Sequence, residues 1–332
     1  MAKAVAAGRL EGDAVVVHDP ADATRLHAKG NLGELQSGNR LRLRIVEAAW
    51  LLGEGKLEVD SRGRPATAAE LLALAGGDRK EVEFLAYADL RGRGLLVRAR
   101  AGRWAVWPRG APPDAPPEYA VEILAERDAV PAQQLLAWAG EQAVLALVDE
   151  DGATTYYRAA LEEPAGDTPV GPMPSFPGAI LSDRVIASDA AAGRAAKREH
   201  LGVVTSAGLV LSFTEAEALR RRGVLEVPAT LATRAAAVQP HFRKALPVYE
   251  ALRAAGVVAK SGFKFGTHLR GYRGDPETGH AEWLLHCATP EETLHWADLS
   301  RAIRLSHGVR KRFLVAVVGE PVRFVRLSWF KP

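Results

Sequence analysis

Three residues of this 332-residue chain, Tyr272, His280 and Lys311, have types and spacing suited to chemistry. A phenol, an imidazole and an ammonium can between them take a proton, give one and steady a developing negative charge. The surrounding pattern predicts how they meet. Phe263 and Phe265 alternate with Lys264 as a half-buried strand should. Arg273-Gly-Asp-Pro-Glu-Thr-Gly279 is turn chemistry, and residues 281–287 form the returning strand. Tyr272 and His280 then stand on either side of one hairpin turn. Trp296, Leu299 and Ile303 recur at helical spacing up to His307, with Gly308 as a stop signal. Lys311 opens the apolar strand over 313–318 that follows, and so can reach the same edge. Such a trio beside several arginines suggests acid–base chemistry on a phosphate.

Taken singly, each residue has an ordinary explanation. A tyrosine at a strand end is usually a packing residue, a histidine at a strand start a polar one, and Lys311 is one of three consecutive bases. The local charge points further. Seven Arg or Lys residues (301, 304, 310, 311, 312, 323 and 326) stand against one acid, Glu320, between Arg301 and Arg326. That is a basic patch fit for a phosphodiester.

The stretch closely resembles the C-terminal catalytic core of the archaeal tRNA-splicing endonucleases. The likeness runs through Gly262-Phe-Lys-Phe-Gly266, Tyr272, His280 and Ser300-Arg-Ala-Ile-Arg-Leu-Ser-His-Gly-Val-Arg-Lys311. It implies that Tyr272 is the base, His280 the acid and Lys311 the electrostatic stabiliser in attack by an RNA 2′-hydroxyl on its own phosphate. The products implied are a 2′,3′-cyclic phosphate and a 5′-hydroxyl, with no metal and no cofactor. A tyrosine ordinarily keeps its proton to about pH 10, so nearby cations must favour the phenolate. The resemblance also implies arginines that grip a bulged base: Arg304 on the helix, and Arg326 in preference to Arg323 on the last strand, with Arg301 of the same basic patch a further RNA-binding residue. The substrate implied is a bulge–helix–bulge in precursor tRNA.

The chain repeats itself. Residues 41–59 align without gaps with 209–227 at an offset of 168, with identities at Leu41/Leu209, Glu47/Glu215, Leu51/Leu219, Gly55/Gly223 and Val59/Val227 among others. The ends agree too, 156–164 against 324–332. The fold class expected is mixed α/β: two tandem copies of a two-subdomain unit. Each copy has an N-terminal α/β subdomain and a C-terminal nuclease-like mixed-sheet subdomain. The first copy is assigned to 1–165 (1–94 and 95–165) and the second to 178–332 (178–256 and 257–332). The Pro- and Gly-rich 166–177 reads as a linker. At the repeat offset Lys311 meets Ala143 and Arg304 meets Leu136, and no histidine lies between His27 and the linker. Trp104 and Trp107 fall in the region equivalent to the catalytic hairpin. Copy one is therefore read as non-catalytic. It keeps an acidic turn, Asp149-Glu-Asp-Gly152. By resemblance, Asp149, Glu150 and Asp151 serve dimer assembly by docking into a basic cleft on the other chain, giving a homodimer.

Composition bounds the alternatives. Hydrophobic residues are 48% and charged residues 25%, as in a globular protein, and the formal net charge is +3. The single Cys287 cannot form an intrachain disulfide and reads as a core residue. Residues 1–8 are too short and too weakly apolar for a signal peptide, and no run approaches a membrane span. A cytoplasmic protein is expected, with precursor tRNA as partner and no membrane. Two rivals remain open: a metal-dependent nuclease of related architecture, and a structural RNA-binding subunit. The first needs clustered carboxylates, which Glu282, Asp275 and Glu277 do not convincingly supply. His268, His286, His295 and His307 read as structural or surface residues, with His268 a minor candidate for substrate contact.

Overall fold

A computed structural model describes residues 5–74, 79–100, 103–111 and 115–332; the first four residues of the N-terminal stretch discussed above lie outside that range. The chain divides into two compact units. One comprises residues 1–128, 143–157 and 330–332, the other 129–142 and 158–329. The architecture is mixed α/β, with several sheets and ten α-helices among the described residues. No helix is long and apolar enough to cross a membrane.

The first unit begins with a six-stranded sheet whose core follows from alternation. In the strand Arg40–Arg44, Leu41 and Leu43 point inward and are fully buried while the arginines face out. The helix Ile45–Gly53 follows at once. Glu47, in its first turn, accepts the backbone N–H of Arg44 (2.9 Å) and that of Gly33 (3.1 Å), satisfying donors the helix start leaves open. Further on, Val144–Val148 is apolar at every position and buried at every position. It pairs in parallel with Tyr119–Ala125, the pattern of a strand covered on both faces. The acidic turn leads from it to β1 (Thr154–Glu162), which starts in this unit and ends in the other.

The second unit opens with the Pro/Gly-rich stretch, which is tied down rather than slack. Gly166 donates to the carbonyl of Ala255 (2.9 Å), Asp167 to that of Arg273 (2.7 Å) and Thr168 to that of Gly256 (3.0 Å). A Cβ at Gly166 would lie 2.3 Å from the Gly256 carbonyl oxygen, so only glycine permits this approach. A four-stranded sheet comes next, with the helix Phe213–Arg221. In that helix Glu215 accepts the backbone N–H groups of Ser212 (3.1 Å) and Gly202 (2.9 Å).

Helix α1 (Phe242–Ala254) then packs on a second sheet. Its strands include β2 (Val258–Ser261), β3 (Leu269–Tyr272), β4 (Trp283–Ala288), β5 (Arg312–Val317) and β6 (Arg323–Trp329). They neighbour one another in that order. Helix α2 (Trp296–Gly308) connects β4 to β5. Phe263, Lys264 and Phe265 do not form the strand their alternation predicts. They make one 3₁₀ turn at the tip of the β2–β3 hairpin, closed by Gly266 in the left-handed region (φ 65°). Phe263 is 88% exposed there. Three residues are too few for periodicity to outweigh the flanking glycines.

Candidate active site

Pairing direction decides which residues share an edge. β3 and β4 are antiparallel, with Gly271 opposite Trp283. β4 and β5 are parallel, with Trp283 opposite Arg312, and a parallel pair needs a long crossover, which α2 supplies. The end of β3, the start of β4 and the start of β5 therefore lie at one edge of the sheet. Tyr272 ends β3, His280 lies two residues before the Glu282 that precedes β4, and Lys311 immediately precedes β5.

Ala281 is the common neighbour. Tyr272 is 8% exposed and packs in one apolar cluster with Val258 and Ala281. The Lys311 ammonium donates to the Ala281 carbonyl at 2.9 Å and lies 5.7 Å from the Phe265 ring. The backbone N–H of Arg312 donates to the carbonyl of Glu282 (2.9 Å), fixing the level of Lys311. Two features turn the chain there. Helix α2 runs through Gly308 rather than stopping before it, and the left-handed residue is Arg310 (φ 55°), after which the Lys311 N–H closes onto the Ser306 carbonyl (2.8 Å).

His280 is exposed, and among the described residues its ring makes no hydrogen bond or ion pair. The Tyr272 hydroxyl likewise has no hydrogen-bond partner among them, and the Arg270 guanidinium lies 5.5 Å from the Tyr272 ring. Two groups with nothing internal to hold are free to meet a ligand.

The arginines separate. Arg326 lines a shallow cavity of about 130 Å³ together with Lys311, His307 and Trp329. Arg323, an odd number of positions away on β6, is not in that lining, and neither are Arg304 and Arg301. Arg304 is exposed on α2, and Arg301, exposed as well, lies 3.2 Å from Asp298. In the acidic turn, the Asp149 carboxylate accepts the N–H groups of Asp151 (3.1 Å) and Ala153 (2.8 Å), so it shapes the turn itself. Glu150 pairs with Arg127, and Asp151 is exposed with no partner among the described residues.

His268 is away from this edge. Its ring lies between those of His241 (4.1 Å) and His286 (4.4 Å), tilted by 41° and 38° to them, and its Nδ1 accepts the Cys287 N–H at 2.8 Å. Burial is the main cause holding its pKa down to about 3, helped by His286, His241 and Lys244 nearby. Cys287 is wholly buried, as read, and burial pushes its thiol up to about 12. Among the described residues no group of three or more His, Cys, Asp or Glu side chains is arranged to hold a metal ion.

Sequence reasoning missed Glu162. Its carboxylate accepts the buried Trp283 indole N–H at 2.7 Å, and lies 3.1 Å from Arg312 and 3.4 Å from Arg326. Nothing local marks it, because its partners lie 121 or more residues away.

Comparison with known proteins shows the family of the chain. Residues 242–324 match the family model of the tRNA intron endonuclease catalytic C-terminal domain, and residues 6–72 match that of the tRNA intron endonuclease N-terminal domain. The chain is 35% identical to a tRNA-splicing endonuclease of Haloferax volcanii, over 94% of this chain and 95% of that one. It is 32% identical to one of Methanosarcina acetivorans, over 97% and 99%, and 35% identical to one of Natronomonas pharaonis, over 96% and 98%. With two domain models matched in order and relatives similar from end to end, the chain belongs to the tRNA intron endonuclease family.

Proposed function

We propose that this endoribonuclease cuts precursor tRNA at intron boundaries within a bulge–helix–bulge, by acid–base transesterification that needs no metal. Tyr272, as phenolate, takes the proton of the 2′-hydroxyl, whose oxygen then bonds to the adjacent phosphorus. The bond from phosphorus to the 5′-oxygen breaks, and His280, as imidazolium, protonates the leaving oxygen. Lys311 neutralises charge on the crowded phosphorane, exchanging the Ala281 carbonyl for a phosphate oxygen. The products are a 2′,3′-cyclic phosphate and a 5′-hydroxyl. The observation that carries this reading is the meeting of three strand ends at one edge around Ala281, with the His280 ring unengaged. Arg326 and Arg304 are assigned to the bulged base, since a guanidinium plane stacks on a splayed base as readily as it pairs with phosphate.

Two architectural readings accompany it. The chain is two copies of one unit, of which only the second is catalytic. Supporting this, the helices Ile45–Gly53 and Phe213–Arg221 start and end at the 168-residue offset. Each also carries a glutamate that caps its own helix and reaches a glycine N–H upstream. Two chains form a homodimer through the acidic turn, where Asp151 has a carboxylate to offer.

The test is cleavage of a bulge–helix–bulge RNA in excess chelator by wild type and His280→Ala. Cutting that survives chelator in the wild type and is lost in the variant is expected. Cutting that requires a divalent ion would overturn the mechanism, and binding without cutting by the wild type would make this a structural subunit.

A further inference from the structure

Arg326, to which the proposed function gives a base contact, is not free to choose its own orientation. It is half-buried, its Nε finds no hydrogen-bond partner, and its charged neighbour is Glu162, 3.4 Å from Nη1. The same carboxylate takes Arg312, the residue after Lys311, at 3.1 Å, and Arg312 is shared with Glu282 at 3.4 Å. Glu282 in turn binds Arg273, the residue after Tyr272, at 3.3 Å. Glu162 is itself only 12% exposed and is pinned by the Trp283 indole at 2.7 Å. A carboxylate anchored by a buried indole is a rigid post, unlike a surface glutamate with freely rotating torsions. It stands at the end of β1, a strand that contributes none of the three proposed catalytic groups.

We infer that Glu162 is a positioning residue that sets substrate selectivity: it fixes the Arg326 guanidinium, and with it Arg312, so that the site accepts an unpaired base rather than any phosphate. The inference rests on the base-gripping assignment of Arg326. An arginine on a flexible stem finds phosphates on every RNA, and these contacts carry no sequence or shape information. Holding the guanidinium by one edge limits it to ligands that reach the opposite face. The negative charge also offsets part of the cation field that would draw in paired RNA indiscriminately.

The test is a double-mutant cycle of Glu162→Gln and Arg326→Ala, with kcat and KM measured on a bulge–helix–bulge RNA and on the same RNA made fully paired. Glutamine retains an oxygen for the Trp283 indole and removes the charge. We expect Glu162→Gln to raise KM for bulged RNA with kcat little changed, and to lower KM for competing paired RNA. Together these reduce the preference for the bulge about tenfold, the size of a close coupling between charged neighbours. In the Arg326→Ala background the same change should leave the preference for the bulge unaltered, its remaining effect through Arg312 falling on both RNAs alike. An unchanged preference in Glu162→Gln, with Arg326→Ala still impaired, overturns the role of Glu162 and leaves the base contact standing. Additive losses overturn it as well, because Glu162 would then act elsewhere. An Arg326→Ala enzyme as selective as wild type removes the base contact and the inference with it. Trp283→Phe, which frees the post without altering charge, should reproduce part of the KM effect; a kcat loss with intact KM would mark a merely structural role.

Discussion

A buried ring with an idle hydroxyl is an unusual arrangement, and Tyr272 has one: the ring is packed with Val258 and Ala281 while the oxygen bonds nothing among the described residues. Solvent reaches the hydroxyl, so a ligand can bind it without displacing an internal partner. Removing that oxygen breaks no internal bond. Tyr272→Phe is therefore expected to fold with stability within about 0.5 kcal/mol of wild type, as for substitutions that disturb no packing. Its cleavage rate should fall about 10²-fold or more, as for loss of a general base. Thermal unfolding and single-turnover cleavage check the two halves. A variant that cuts at the wild-type rate removes Tyr272 from the chemistry. Charge in the sequence marks the basic patch but not each residue's surroundings: Arg301 pairs with Asp298 at the surface, and Arg323 lies outside the cavity that Arg326 and Lys311 line.

Between residue and domain, the elements decide what meets what. The hairpin turn, helix α2 and β5 were legible because their signals are local: a Gly- and Pro-bearing turn, a helical period, an apolar run. The short 3₁₀ turn was not, because the alternation of two phenylalanines over three residues also fits one exposed turn. Glu162 was invisible for a different reason, since its partners come together only through strand pairing. The histidine cluster across α1's start, the β2–β3 hairpin and β4 was also hidden from the sequence, and it has a consequence for pH. His268 lies between His241 and His286, with Lys244 and Glu292 paired nearby at 2.5 Å and Asp298 also within electrostatic reach. His286, too, is pushed down mainly by burial. Both rings are neutral in the fold and protonate in the unfolded chain near pH 6.5. Their contribution is thus intact above about pH 6.5 and declines as pH falls towards 3, where His268 itself titrates in the fold. Stability of the wild type should drop across that window, and His268→Gln should flatten the drop. Urea unfolding at several pH values measures it; an unchanged slope in the variant would show that carboxylates elsewhere set the acid response.

At the scale of the molecule, the two units carry different burdens. The second holds the proposed chemistry, and the first holds the acidic turn. There Asp149 is committed to the turn's own backbone and Glu150 to Arg127, leaving Asp151 as the freest anion. If the turn joins two chains, Glu150→Lys with Asp151→Lys should yield a monomer by sedimentation equilibrium with an unchanged far-ultraviolet spectrum. A dimer that survives the reversal of both charges would place the interface elsewhere. The proposed repeat rests on identities that are ungapped over 19 residues; the compact units do not follow the boundaries assigned to it, since 129–142 and 330–332 each pack with the other half's residues. Such exchange depends on long-range packing and leaves no periodic trace.

In the proposed mechanism a tyrosine, a histidine and a lysine cut RNA through its own 2′-hydroxyl. Analysis of the fragment ends from a bulge–helix–bulge substrate cut in excess chelator tests it most directly. A 2′,3′-cyclic phosphate on the upstream fragment and a 5′-hydroxyl on the downstream one are expected. A 3′-hydroxyl facing a 5′-phosphate would mean that water, not the RNA, supplied the nucleophile, and would contradict the mechanism.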